Sequence, residues 1–131
     1  MTTPHVWDFY EAIALKPRAG LTRTERTVAA ICDLRQEINS DGFDAYFRYD
    51  WGDTAIVALE GIGSILGTER HSLLAEAMSL LGEPYPPGSQ TRADLLDELE
   101  LDDEFSALDD RFYALEASTD ADGLMSRALA T

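Results

Sequence analysis

The sequence predicts an all-α fold, a compact orthogonal or irregular bundle of about seven to eight short helices. Three observations carry this reading. Apolar residues recur at three- and four-residue steps almost from end to end, caps and stops punctuate that pattern, and alternating β-branched runs are missing. The 131 residues, 45% apolar and 27% charged, are long enough to bury a core and fit one acidic domain over 1–131. Disorder and a disulfide scaffold are excluded by the same composition, and no internal repeat is present.

Thr3 and Pro4 read as the N-cap and first residue of a helix to about Leu15, stopped by Lys16-Pro17 and Gly20. Thr22 with Glu25 makes a T-x-x-E capping box, and Val28, Ile31, Leu34 or Arg35, and Ile38 continue that helix to about Asn39. Asp41-Gly42 is turn chemistry, followed by an aromatic segment of one or two turns with Phe43, Tyr46, Phe47 and Tyr49. A fourth helix starts near Asp53-Thr54, carries Ile56, Leu59, Ile62 and Leu66, and stops at Gly67. Thr68 caps a fifth, with Leu73, Leu74, Ala77, Leu80 and Leu81 on its apolar face and Gly82 at its end. Residues 83–90 (EPYPPGSQ) cannot continue a helix and form a loop. Thr91 opens a sixth helix through Leu95, Leu96 and Leu99. Phe105, Leu108, Phe112 and Leu115 outline a seventh, and Asp120 or Asp122 caps a last one through Leu124 and Leu129.

Most familiar chemistries find no pattern here. The lone Cys32 sits on an apolar stripe among Val28, Ile31 and Leu34, the place of a buried thiol rather than a nucleophile. Gly61-Ile-Gly63-Ser-Ile-Leu-Gly67 fails as a dinucleotide fingerprint, because Leu66 stands where G-x-G-x-x-G needs glycine and no strand precedes it. Ser64 lacks the flanking glycines of a nucleophile elbow. His5 and His71 are too isolated in sequence for a zinc site, and the acidic runs lack the spacing of a calcium loop. No cofactor or metal is expected. With no basic start or small-residue cleavage site at the N-terminus, and no apolar run near the length of a membrane span, the expected location is cytoplasmic.

Charge is the outlier. Twenty-five Asp and Glu against ten Lys and Arg leave a net −15, a field that repels DNA, RNA and anionic membranes. Residues 1–66 hold ten acids and six bases, whereas residues 67–131 hold fifteen and four. Between Asp94 and Asp122 stand twelve acids and one base, Arg111. Drawn as continuous helix, that stretch carries one acid per ~3.6 Å, near the ~3.4 Å charge spacing along one DNA strand. Breaks are expected near Asp102 and Ser118, and a solvated acidic face needs no partner to explain it.

The run Asn39-Ser40-Asp41-Gly42-Phe43-Asp44-Ala45-Tyr46-Phe47-Arg48-Tyr49, one helix after Leu21-Thr22-x-x-Glu25-Arg26, resembles a bacterial family of small acidic helical proteins. In that family a helix ending in Asn is followed by Gly-Gly-Phe-x-Gln-Tyr/Phe-Phe-x-Asn. Leu108-Asp109-Asp110-Arg111-Phe112-Tyr113 resembles its C-terminal signature. This is the DNA-mimic-protein C-terminal-domain-like family, and the resemblance spans about residues 21–116. Asp41, Ala45 and Tyr49 depart from the motif. Physically, Asn39 suits a cap and Gly42 a positive φ, so the motif reads as a tight joint with Phe43 and Phe47 buried; Tyr46 belongs to the same run.

The resemblance implies a non-enzymatic binding protein whose acidic C-terminal half occupies the basic face of a transcription factor or other nucleic-acid-binding protein. Asp97, Glu98, Asp102, Asp103, Asp109 and Asp110 are the expected partner-binding carboxylates. As exposed charges, Asp102, Asp103, Asp109 and Asp110 are expected to contribute little to stability, with Asp8, Glu11, Glu25 and Asp33 as a matching control set. An immunity-type inhibitor of a basic toxin such as a nuclease is the alternative, and an enzyme with a pocket at the Gly42–Tyr49 motif a third. No direct nucleic-acid or membrane contact is expected. A homodimer is expected through Trp7, Phe9 and Tyr10, aromatics near an N-terminus with little core of its own.

Overall fold

The computed structural model describes residues 4–130, and these form seven α-helices with no strand. They are α1 (Val6–Ala12), α2 (Arg23–Arg48), α3 (Ala55–Leu66), α4 (Thr68–Ser79), α5 (Ser89–Leu99), α6 (Asp102–Ser118) and α7 (Ala121–Leu129), with 3-10 turns at Arg18–Gly20 and Asp50–Thr54. No helix among the described residues is long and apolar enough to cross a membrane.

The capping box forms as expected. Thr22 Oγ1 accepts from Glu25 N at 3.1 Å, and Glu25 Oε1 accepts from Thr22 N at 2.8 Å. The helix it starts runs past the expected end near Asn39, because the Asp41-Gly42 turn is a break inside it. Gly42 breaks α2 within one 26-residue element, with φ 90° and ψ 178°. The aromatic segment is therefore the second arm of α2, and the expected tight joint is a kink at Gly42, with positive φ and with Phe43 and Phe47 buried. At the N-terminus, helix α1 begins at Val6 and ends at Ala12, shorter than the expected span to Leu15. His5 supplies its cap, with Nδ1 accepting from Trp7 N at 3.3 Å. The expected Thr3 cap lies outside the described residues. Helix α5 starts at Ser89, two residues before the expected Thr91.

α2 is the axis of the bundle, touching α1, α3, α5, α6 and α7. Its buried side chains, from Val28 through Ile38 to Phe43 and Phe47, share one core with Ile62, Leu73, Leu96, Phe105, Phe112 and Met125. Rings dominate at the kink: the Phe43 centroid lies 5.9 Å from those of Phe47 and Phe112 and 6.4 Å from that of Phe105. Such offset and edge contacts add to area burial. Trp7, Phe9 and Tyr10 fold back on the same core.

Four arginines are drawn inward. Arg92 is fully buried and donates to the carbonyls of Phe47, Tyr49, Pro86 and Pro87 and to Asp53. A guanidinium there meets the orphan carbonyls at the end of α2, where a cation also suits the helix dipole. Arg35 and Arg70 converge on Glu116, and Arg18 forms a two-pronged pair with Asp33.

Candidate functional site

Helices α5 and α6 carry the acidic face, and the turn between them sets its shape. Glu100 ends α5 in the left-handed conformation, φ 52° and ψ 59°, and Leu101 then leads directly into α6. The acidic stretch is consequently two rods of 11 and 17 residues, broken at the expected Asp102 and Ser118. Leu101 offers no side-chain cap, and Asp102, Asp103 and Glu104 fill the first turn of α6 instead. Carboxylates there stabilise the helix through its dipole by about 0.3–1 kcal/mol each, so part of this charge has a structural use.

The six expected carboxylates divide into two groups. Glu98, Asp102, Asp103 and Asp110 are exposed, and their carboxylates make no hydrogen bond or ion pair among the described residues. Asp97 is exposed as well, but accepts from Arg48 Nη1 at 2.8 Å, and Arg48 is shared with Asp44 one turn earlier in α2. Asp109 departs from the expected exposed charge. It is only partly exposed, and its Oδ1 accepts from the Phe43 amide at 2.8 Å. Break α2 at Gly42, and the first amide of the second arm is orphaned; Asp109 reaches across from α6 to satisfy it. Asp109 is therefore a cap in trans.

One turn further along α6, the Tyr113 hydroxyl donates to the Ile38 carbonyl at 3.0 Å, serving the first arm of α2. Another turn on, Glu116 accepts from Arg35, from Arg70 and from Asn39 Nδ2 at 2.7 Å. Asn39 was expected to cap its helix; it spans to α6 instead. The stripe Asp109, Tyr113, Glu116 thus joins the two motifs that sequence reading treated separately. Gly42 is fixed by contact as well as by φ, since a Cβ there would lie 2.6 Å from Asp109 Oδ2.

The same joint extends the acidic face onto α2. Asp109 feels Asp110 and Asp44, Tyr113 feels Asp41, and Glu37 faces Asp41. Burial, with this repulsion added, pushes the Asp109 carboxyl above the usual range despite the Phe43 hydrogen bond, and Glu37 moves the same way. Cations near the face are spoken for: Arg92 is buried, and Arg111 pairs with Glu76 at 2.7 Å. Of the proposed control residues, Asp33 is buried under Arg18, Tyr10 and Thr54, and Glu25 is half of the capping box. Neither is a neutral control. Sequence reasoning missed Asp33, Arg70 and Arg92 as buried charges and the partly buried Glu116 that pairs with Arg70; the sole hint was Arg35 beside Leu34 on the apolar stripe.

The motif run and the closing signature belong to one joint, and a family model described as DMP19-like protein matches residues 19–130, which include both. The chain belongs to the DMP19-like protein family. The match begins before the capping box of α2 and reaches the end of α7. In this DMP19-like chain it therefore takes in the kinked α2, the α5–α6 face and the Glu116 cluster together. No curated protein and no solved structure matches.

Proposed function

We propose that this protein is a non-enzymatic acidic binding protein, a DNA mimic whose α5–α6 face occupies the basic DNA-binding surface of a transcription factor or other nucleic-acid-binding protein. The observation that carries the reading is the sorting of charge. Glu98, Asp102, Asp103 and Asp110 stand exposed and unpaired, while Arg92 and Arg111 are held by internal partners. Unpaired carboxylates accept charge-assisted hydrogen bonds from Arg and Lys, and an extended negative field speeds encounter with a basic surface. Membership of the DMP19-like family supports it, as does the finer resemblance to the DNA-mimic-protein C-terminal-domain-like family. Asp109 and Asp97 are assigned to the scaffold side of this face, and Asp41 and Asp44 widen it.

The test begins with affinity capture and mass spectrometry to identify the partner, followed by competition. Duplex DNA should displace this protein, and binding should weaken steeply with salt. Neutralising Glu98, Asp102, Asp103 and Asp110 to their amides should lower affinity at least tenfold, about 1.4 kcal/mol. The same change at exposed Asp8, Asp50, Glu60 and Glu83 should not. A partner that binds DNA and this protein at once, or that treats both quadruple variants alike, refutes the mimic.

A further inference from the structure

Both tryptophans of the chain, Trp7 and Trp51, line one groove of about 530 Å³, together with Tyr10, Glu11, Arg18 and Gln36. One aromatic wall is held before anything binds. Trp7 Nε1 donates to Asp122 at 3.0 Å, the Arg35 guanidinium sits 5.5 Å from the Trp7 ring, and Tyr10 meets that ring edge-on at 5.7 Å. The Tyr10 hydroxyl is in turn fixed by Asp33. Trp51 makes no ring contact with either aromatic among the described residues, so the second wall stands apart from the first.

Of the two charged side chains that line the groove, the cation is already paired. Arg18 is neutralised by two hydrogen bonds to Asp33, at 2.7 and 2.9 Å. The Glu11 carboxylate is exposed and has no hydrogen-bond or ion-pair partner among the described residues. A prebuilt aromatic wall with the unpaired Glu11 carboxylate in the same lining suits a cation with flat, weakly hydrated faces. An anionic occupant would meet Glu11 and the field of a −15 chain. We propose that this groove is a docking slot for an arginine side chain presented by a basic peptide or protein partner. It shares no residue with the α5–α6 face, so it stands or falls independently of the DNA-mimic reading.

The experiment uses the full chain and a capped tetra-arginine peptide at low ionic strength, followed by tryptophan emission and by calorimetry. Since both tryptophans line the slot, emission should change saturably with tetra-arginine, less with tetra-lysine, and not with the uncharged citrulline peptide. Trp51→Ala and Glu11→Gln should each weaken binding about three- to tenfold. Glu11 is exposed, so that variant keeps the proposal testable if Trp51→Ala unfolds. Neutralising Asp102, Asp103 and Asp110 should leave the emission change in place. The slot is overturned if the citrulline peptide binds equally well, if both slot variants bind as the parent does, or if only the α6 variant abolishes binding. A concentration-dependent emission shift of the protein alone would make a second copy the occupant and overturn it too.

Discussion

Asp109 on α6 and Phe43 on α2, 66 residues apart, are joined by a 2.8 Å hydrogen bond from the Phe43 amide to the Asp109 carboxylate. A surface acid in one helix is thereby the cap of another. The bond explains how a long helix is interrupted without leaving a buried amide unsatisfied.

Asp109→Ala should destabilise the fold by about 1–2 kcal/mol, since it leaves that amide without an acceptor. Asp109→Asn keeps an oxygen and should cost less. The two also separate by pH. Because the folded state raises the Asp109 pKa, its favourable contribution is full below the unfolded value of about 3.9 and is lost as pH rises through the folded value. Urea unfolding should therefore show the wild type losing ground to Asp109→Asn as pH rises above about 4. A difference that is flat with pH contradicts the assignment.

Gly42→Ala should cost more than a helix substitution usually does. Its φ of 90° with ψ 178° is a region that L residues rarely adopt, at roughly 1–3 kcal/mol, and the added Cβ collides with Asp109. Combining Gly42→Ala with Asp109→Ala should recover the collision but not the φ cost. The cycle would be read by chemical denaturation, and a Gly42→Ala protein as stable as the parent rejects this account.

Arg92→Met should be among the most damaging single changes, at about 3 kcal/mol or more. It removes the donor for four carbonyls and leaves Asp53 unpaired. A denaturation midpoint close to the parent's would show that these carbonyls find other donors.

Cys32 should be silent to thiol reagents while the protein is folded. Burial pushes its thiol up to about 12, so at pH 8 only about one thiol in ten thousand is ionised. Labelling in native buffer should then follow the unfolding rate and become rapid in denaturant. Fast labelling of the native protein would place the thiol at the surface.

Local signals account for what the sequence revealed. The Thr22–Glu25 box acts within four residues, and Gly67 ends α3 at φ 108°, so neither needs information from elsewhere in the chain; α4 ends at Ser79, before the expected stop at Gly82. The joint at Asp41-Gly42 was legible, but not the groups that close it, because these come from α6, supplied by Asp109 and Tyr113. Arg92, Arg70 and Asp33 were invisible for the same reason: a charge is buried only where distant groups meet it, and helical periodicity records apolarity alone. At the candidate site, the unpaired acids were legible from charge density. The distinction between Asp109 and its neighbour Asp110 was not, since both are aspartates one residue apart and only the packing of α2 tells them apart.

Glu116 accepts from Arg35, Arg70 and Asn39, side chains of two other helices. Substitution at any of these four positions alters the electrostatic balance at the other three, so sequence drift here is expected in concerted sets rather than singly. An aligned collection of relatives should then show one four-way covarying group linking α2, α4 and α6, while the unpaired acids of α5 and α6 vary independently of one another. Ancestral and present-day sequences would differ at this cluster by whole replacements of the group, each needing a permissive intermediate in which a guanidinium is first exchanged for a neutral side chain.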